Sequence, residues 1–286
     1  MDLNDHRALD DTAKIIAITK SEGSISNKFI DQIEKRNCRL IVVKTSKIVK
    51  CDSYIVTEIF NLISKRSSGY IIFLSSNAVD IFFEIATSLN VINEIVNDLN
   101  SKFTVVAIGP STRSALLKNR IVESKIPQDH SSLGIIDFLS KLKKDNYESK
   151  IIIPRSKKAD NNLKEKLLHL GFDVDEFYIY NVIPADVNPG WIEFFNLLRE
   201  EKIDSLIFTS PSNVDYFISI IQKYSSDLLP LVCKIKLILS IGPLTSKELF
   251  KHNLPFHESK NHSLEGLYET LYRDNKNLNK TSNPFY

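Results

Sequence analysis

The chain carries the same pattern twice, and this internal repeat constrains its architecture more than any other feature. "VVAIGPSTRSALLKN" begins at Val105 and "ILSIGPLTSKELFKHN" begins at Ile238, and each reads as a buried strand, a Gly-Pro turn and a helix. "IIFLSSNAVDIFFEI" from Ile71 is matched by "SLIFTSPSNVDYFISI" from Ser205. Matched positions stay between 131 and 136 residues apart along the chain. This steady offset predicts a duplicated unit.

Each copy alternates short β-rich runs with helical stretches, which is typical of parallel sheets covered by helices. Val79, Phe82 and Phe83 keep the i, i+3, i+4 spacing of a helix that buries one apolar stripe. At 286 residues the chain is long enough for two domains with a core each. We therefore predict an α/β fold of two parallel-sheet domains that arose by internal duplication.

Composition excludes several classes of function. The apolar fraction of 43%, the charged fraction of 25% and the net charge of +2 predict a globular protein without a nucleic-acid partner. The lack of a long apolar run and the acidic, polar start predict no membrane association, no signal peptide and a cytoplasmic location. Three scattered cysteines and six histidines without HxH spacing predict no metal site.

The turns ahead of the helices are the candidate binding elements. In parallel α/β sheets, ligands bind beyond the carboxyl ends of the strands. Four such turns carry small polar residues: Ser75-Ser76-Asn77, Pro110-Ser111-Thr112, Ser210-Pro211-Ser212 and Pro243-Leu244-Thr245. A helix N-terminus has unpaired N–H groups and a positive dipole end, which favour a carboxylate or a phosphate. Three pairs also have capping-box spacing, which satisfies these N–H groups without a ligand: Asn77 with Asp80, Ser212 with Asp215, and Thr245 with Glu248.

Taken together, these blocks resemble the uroporphyrinogen-III synthase family. The similarity includes "FLSSNAVDIF", "FTSPSNVDYF" and the two "IGP-x-T" turns, in the order of the family. It also includes "IIIPRSKKADNNLKEKLLHLGFDVDEFYIYNVIP" from Ile151 to Pro184, the most particular block. The resemblance extends over most of the chain, from about Lys14 to Leu271.

The resemblance implies two domains joined by a two-strand linker, with a cleft between them. Residues 1–50 and 183–286 would form a discontinuous first domain, and residues 51–182 the second. Periodicity alone leaves a tandem division near residue 148 equally open. The polar tails, residues 1–13 and 273–286, are expected to be frayed.

The resemblance also implies a reaction, the cyclisation of hydroxymethylbilane to uroporphyrinogen III with inversion of the last pyrrole ring and loss of water. No cofactor is implied. The expected partners are the substrate and, for handover, hydroxymethylbilane synthase, and the expected state is a monomer. Because the substrate closes unaided to the uninverted isomer, the protein would act mainly by imposing geometry.

The same resemblance implies roles for particular residues. Tyr180 matches a family tyrosine that assists departure of the hydroxyl, although a packed strand tyrosine is the alternative. Arg155 is the leading charged ligand for substrate carboxylates, and Lys20 is either a second one or a solvated charge. The remaining expected ligands are turn residues: Ser75, Ser76, Asn77, Ser111, Thr112, Ser210, Ser212, Asn213 and Thr245.

Two other classes of function stay open at this point. A duplicated α/β chain also fits a two-lobed binding or sensor module for an acidic small molecule. A nucleotide-linked regulator is less consistent with the sequence, because the chain has neither a GxGxxG motif nor a P-loop lysine.

Overall fold

The computed structural model describes residues 13–21, 25–142, 150–158, 162–224 and 227–273. The strands, in chain order, are β1 (Lys14–Lys20), β2 (Cys38–Lys44), β3 (Ser46–Lys50), β4 (Gly69–Phe73), β5 (Phe103–Ala107), β6 (Lys150–Ser156), β7 (Asp173–Pro184), β8 (Ile203–Phe208), β9 (Leu237–Ser240) and β10 (His257–Glu258). The first six helices are α1 (Asn27–Glu34), α2 (Tyr54–Ser64), α3 (Ser76–Ser88), α4 (Ile92–Lys102), α5 (Pro110–Lys118) and α6 (Ser132–Leu142). The others are α7 (Asn162–His169), α8 (Pro189–Arg199), α9 (Pro211–Tyr224), α10 (Leu228–Val232), α11 (Pro243–Lys251) and α12 (Leu264–Arg273).

The chain forms two compact α/β units. Unit 1 comprises residues 1–47 and 183–286, and unit 2 comprises residues 48–182. The chain leaves unit 1 within β3 and returns within β7, so two strands connect the units. The first junction lies three residues before the expected boundary at residue 50. Apart from residues 13 and 273, the tails expected to be frayed lie outside the described residues.

Unit 1 contains a five-stranded sheet in the order β10-β9-β8-β1-β2, in which all adjacent strands are parallel. Because β1 pairs with β8, a tandem division near residue 148 does not describe this sheet. Helices α8, α9, α10 and α11 cover one face, where Trp191 and Phe217 are fully buried. Helices α1 and α12 cover the other face through Phe29 and Leu267. The sheet is therefore buried on both sides, as parallel sheets require.

Unit 2 contains a second five-stranded sheet, in the order β3-β7-β6-β4-β5, in which β7, β6, β4 and β5 are parallel to one another. Phe73, Phe82 and Phe83 pack together on the face covered by α2 to α5. Ile135 and Leu167 cover the other face from α6 and α7. The predicted helical stripe of Val79, Phe82 and Phe83 is thus core.

The two sheets repeat one topology, which confirms the predicted class of fold. Strands β7, β6, β4 and β5 occupy the positions that β2, β1, β8 and β9 occupy in unit 1. The short strand β10 has a counterpart in the isolated parallel bridge between Val106 and Lys125. In each unit the candidate turns follow the carboxyl ends of two adjacent strands.

Candidate functional site

The first turn of unit 2 links Ser75 to Tyr180. Ser75 is the N-cap of α3, and its Oγ accepts a hydrogen bond of 3.1 Å from the amide N–H of Ala78. The same Oγ lies 3.1 Å from the phenol oxygen of Tyr180, which is only 5% exposed. Ser76 is half-buried and Asn77 is exposed. This turn therefore holds two hydroxyl groups in contact at the end of the sheet.

The second turn of unit 2 has an N-cap without a side chain. Gly109 is the N-cap of α5 and Pro110 is the first helical residue, and no side chain caps this end. Thr112 is buried, and its hydroxyl forms no hydrogen bond within the described part of the chain. Ser111 is exposed. The first turn of α5 therefore leaves both backbone and side-chain donors for a ligand.

The corresponding turn of unit 1 repeats this arrangement. Gly242 is the N-cap of α11, Pro243 follows it, and again no side chain caps the helix. Thr245 is buried like Thr112, and among the described residues its hydroxyl also lacks a hydrogen-bond partner. Leu244, between them, is 74% exposed. Both copies thus begin a helix with Gly-Pro and place a threonine hydroxyl beside its unpaired N–H groups.

The other turn of unit 1 is held together by Asn213. Its side-chain oxygen accepts hydrogen bonds from Thr45 Oγ1 at 2.8 Å and from Ser21 Oγ at 2.9 Å. Its side-chain nitrogen donates to Thr209 Oγ1 at 2.8 Å. Because the amide of Asn213 is buried and engaged on both sides, it ties the ends of β1, β2 and β8 together. The Asn213 side chain therefore stabilises the carboxyl ends of these three strands.

Ser210 and Ser212 complete that turn. Ser210 Oγ accepts a hydrogen bond of 3.3 Å from the backbone N–H of Asn213 and lies 3.2 Å from Ser212 Oγ. Ser212 is exposed. The Ser210 hydroxyl thus caps α9 in unit 1 as the Ser75 hydroxyl caps α3 in unit 2.

The two candidate cations differ in their surroundings. Arg155 is buried at the end of β6 and forms an ion pair with Glu176, and the two side chains are only 4% and 3% exposed. Lys20, at the end of β1, is half-buried, and desolvation alone lowers the pKa of its ammonium group. No carboxylate among the described residues offsets this loss of solvation. Arg155 is thus neutralised inside unit 2, whereas Lys20 offers an uncompensated charge.

The family follows from comparison of the whole chain. A family model described as Uroporphyrinogen-III synthase HemD matches residues 27–269. The chain belongs to the uroporphyrinogen-III synthase family. It is 25% identical over 232 residues to a protein of Methanothermobacter thermautotrophicus named "Putative uroporphyrinogen-III synthase", covering 80% of this chain and 86% of that one. Membership makes the chain an enzyme of tetrapyrrole biosynthesis.

Solved structures of uroporphyrinogen III synthases share the fold. The enzyme of Thermus thermophilus, as a mutant, matches with a TM-score of 0.57 and 15% identity, over 94% of this chain and 100% of that chain. The enzyme of Helicobacter pylori 26695 matches with a TM-score of 0.55 and 16% identity, over 91% and 98%. Within the described residues, no helix combines the length and the apolar character needed to cross a membrane.

The three capping boxes that the sequence spacing allows do not form. The side-chain caps are Ser75 and Ser210, two residues before Asn77 and Ser212, while the N-cap of α11 is Gly242. The carboxylates of Asp215 and Glu248 instead contact the imidazole of His252. Capping therefore accounts for Ser75 and Ser210 but not for the threonines.

Two histidines beside the Gly-Pro turns were missed by the sequence analysis. A Cβ atom added to Gly109 would lie 3.5 Å from His130, and one added to Gly242 would lie 3.1 Å from His262. Each imidazole therefore packs on the N-cap of a helix that no side chain caps. The two histidines occupy equivalent places in the two copies.

A repeated six-residue loop holds these histidines. "DHSSLG" from Asp129 and "NHSLEG" from Asn261 share the pattern [DN]-H-S-x-x-G. In each loop the serine Oγ accepts a hydrogen bond from the N–H of the glycine, Gly134 at 3.2 Å and Gly266 at 3.1 Å. A Cβ on either glycine would lie within 2.0 Å of a backbone oxygen, so only glycine fits. This six-residue match was the signal that could have identified the histidines.

Proposed function

We propose that the enzyme cyclises hydroxymethylbilane to uroporphyrinogen III, inverting the terminal pyrrole ring and releasing water. Membership of the family supports this reaction. The observation that carries it is the duplicated Gly-Pro turn, in which Thr112 and Thr245 place hydroxyls without partners in the described part of the protein beside uncapped helix N-termini. A linear tetrapyrrole with an acetate and a propionate on each pyrrole supplies the anions that such turns bind.

Each unit supplies carboxylate-binding turns in this proposal. Backbone N–H groups at the starts of α3, α5, α9 and α11 bind acetates and propionates, and short side chains let the anions approach. The polar ligands are Ser75, Ser76, Asn77, Ser111, Thr112, Ser210, Ser212 and Thr245, with Asn213 supporting the α9 turn. Because many weak contacts fix one flexible polyacid, catalysis comes mainly from positioning the reacting ends.

Lys20 is proposed as the main cationic side chain that binds substrate carboxylates. Its ammonium group is partly desolvated without a compensating carboxylate among the described residues, so a substrate carboxylate would restore the lost solvation. Arg155 was the leading candidate from the sequence, but its ion pair with Glu176 gives it a supporting role in unit 2. His130 and His262 lie beside the two Gly-Pro turns and are proposed to contact the same carboxylates.

Tyr180 is proposed to assist the departure of the hydroxyl group. Its O–H donates a proton or a hydrogen bond to the leaving oxygen, while the C–O bond breaks and the pyrrole nitrogen supplies the electron pair. Ser75, 3.1 Å away, orients the phenol by a hydrogen bond between the two hydroxyl groups. The far pyrrole then attacks the methylene carbon that the hydroxyl has left, through its own substituted α-carbon, and becomes the centre of a spiro intermediate. The bond from that α-carbon to the neighbouring bridge carbon breaks and re-forms at the other α-carbon of the same ring with loss of its proton, so the far pyrrole is inverted.

The test is the isomer composition of the product. Hydroxymethylbilane is generated in situ from its precursor by hydroxymethylbilane synthase, the protein is added, the porphyrinogens are oxidised to porphyrins, and the porphyrin isomers are separated. We expect isomer III to predominate, and isomer I in the control without the protein. Isomer I alone in both samples would contradict the proposal, and slowed closure without isomer III would indicate a binding module.

Two further expectations concern assembly. The protein is proposed to act as a monomer of 32.7 kDa, which light scattering with and without substrate would measure. Handover from hydroxymethylbilane synthase predicts that a large excess of an inactive uroporphyrinogen-III synthase variant lowers the yield of isomer III. An unchanged yield would show that the substrate passes through solution.

A further inference from the structure

Unit 1 brings one imidazole and two carboxylates together where α9 packs on α11. His252 Nε2 lies 3.2 Å from Asp215 Oδ1 and 3.8 Å from Glu248 Oε1. The ligand atoms of the three side chains all lie within 4.8 Å of one another. The side chains are 31% exposed for His252, 47% for Asp215 and 15% for Glu248. An ion from solvent can therefore reach a cluster that is also partly desolvated.

The local sequence explains this arrangement. Glu248 and His252 are four residues apart at the end of α11, so they share one face of the helix. Asp215 projects towards them from α9, which packs along α11. Spacing alone could not reveal the cluster, because Asp215 is 37 residues from His252 in the sequence.

We propose that Asp215, Glu248 and His252 bind a divalent transition-metal cation, with zinc as the best match. Tetrahedral zinc with bonds of about 2.0 to 2.1 Å separates its ligand atoms by about 3.3 Å, close to the observed 3.2 and 3.8 Å. An imidazole favours such cations over magnesium and calcium, which prefer oxygen ligands. The two carboxylates balance the charge of the cation, and water supplies the fourth ligand.

A cationic side chain, that of Lys251, also contacts this cluster. Its Nζ lies 2.7 Å from Glu248 Oε2, the oxygen that does not face His252. A cation bound between Glu248 Oε1 and His252 leaves this contact in place. The ammonium group weakens the attraction for a second cation, so removing its charge should strengthen metal binding.

The second copy of the repeat lacks this cluster. Asp80 on α3 corresponds to Asp215, but α5 has Ala115 and Asn119 at the places of Glu248 and His252. Only unit 1 therefore carries the complete set. Asp80, which is exposed, provides a matched control within the same protein.

A bound cation would join α9 to α11. The first turns of these helices hold Asn213 and Thr245, so the ion would also fix the spacing of two proposed substrate-binding turns. The proposed role is stabilisation of unit 1, and it does not depend on the proposed reaction. Binding to the folded state alone raises Tm with metal concentration.

The experiment titrates the full-length protein with zinc chloride by calorimetry and counts bound zinc by metal analysis after dialysis. The starting protein carries Cys51→Ser and Cys233→Ser, since these thiols are accessible and would bind zinc themselves. Asp215→Asn, Glu248→Gln and His252→Asn are compared with Asp80→Asn in that background. Urea unfolding of each variant tests that it is folded.

We expect the starting protein to bind one zinc ion at this cluster, and each of the three variants to bind it at least about tenfold more weakly. Asp80→Asn should bind as the starting protein does, and Lys251→Gln at least as tightly. Equal zinc binding in all variants, or none in the starting protein, would overturn the proposal. Loss of binding in Lys251→Gln as well would also overturn it, because the variants would then act through the packing of α9 on α11.

Discussion

At the scale of single residues, the contact between Tyr180 and Ser75 belongs to the proposed site of hydroxyl departure. We expect Tyr180→Phe to lower kcat for isomer III by up to about 100-fold, because a proton donor near the leaving hydroxyl is lost. KM should change little, since the ring remains. Tyr178→Phe is the matched control, because Tyr178 lies two residues away on β7 and contacts Glu176 at 3.5 Å. Equal rates for both variants would remove Tyr180 from the reaction.

Lys20 should act on substrate binding. A hydrogen bond to a charged group contributes about 1.5 to 3 kcal/mol, so Lys20→Met should raise KM for hydroxymethylbilane by roughly 10-fold or more, with a smaller effect on kcat. The free energy of unfolding should not fall, because burial already disfavours the charge and lowers its pKa. Lys14→Met, at the opposite end of β1 and exposed, is the control. An unchanged KM for Lys20→Met would show that the Lys20 ammonium group is a solvated charge that does not bind the substrate.

Arg155 and Lys20 both lie near the carboxyl end of a strand. The sequence named both as candidate charged ligands, and that role stays a prediction. It could not predict that Glu176 neutralises Arg155, because that pair depends on the register between β6 and β7, in which Ile153 aligns with Glu176. Long-range pairing of this kind has no signature in local spacing, and it is the reason that Lys20 rather than Arg155 is proposed as the main charged ligand.

At the scale of secondary-structure elements, the Gly-Pro starts of α5 and α11 leave their threonines available. We expect Thr112→Val and Thr245→Val each to lower kcat/KM by about 10-fold, as one hydrogen bond to a substrate anion is lost. Their free energies of unfolding should change by less than about 0.5 kcal/mol, since neither hydroxyl bonds to the described part of the protein.

Thr270→Val gives the opposite pattern as a control. Thr270 Oγ1 donates a 2.8 Å hydrogen bond to Gly266 O within α12, so its loss should cost about 1 kcal/mol of stability and leave kcat/KM unchanged. If Thr245→Val also loses stability but keeps its activity, the hydroxyl supports the helix rather than the substrate. Urea unfolding and initial rates on the same preparations separate these cases.

Helix existence was predicted from the sequence, but helix starts were not. Periodicity identified the apolar stripe of α3 correctly. The capping-box positions were wrong: the caps of α3 and α9 lie two residues earlier, at Ser75 and Ser210, and the N-cap of α11 is Gly242, three residues before Thr245. Serine, asparagine and threonine are all acceptable caps, and several occur in each turn. Which one caps depends on where the preceding strand ends: β4 ends at Phe73 and β8 at Phe208, so Ser75 and Ser210 are first within reach.

At the scale of the whole molecule, each unit has its own two-sided core. The buried clusters of unit 2 contain only residues between 56 and 180, and those of unit 1 contain none of these. We expect residues 48–182, expressed alone, to unfold in one cooperative transition in urea with an m-value of about 1 to 3 kcal/mol/M. A gradual loss of structure would show that unit 2 depends on the rest of the chain, and would contradict the proposed domain division.

The repeat predicted the class of fold, but the exchange of β1 and β2 into the sheet of β8 could not be derived from it. Both the tandem and the discontinuous arrangement put the same strand sequences in the same kind of sheet, and only the pairing of β1 with β8 distinguishes them. Resemblance to the family supplied the discontinuous layout.

The chain passes from unit 1 to unit 2 and back again, and this order has a consequence for synthesis on the ribosome. All of unit 2 has been translated by residue 182, whereas β1 and β2 still lack their neighbour β8 at that stage. The nascent protein therefore keeps one edge of β1 open while the inserted unit folds. A chaperone that binds unpaired strands would meet its target in this interval, and slower translation between residues 183 and 208 would lengthen the exposure.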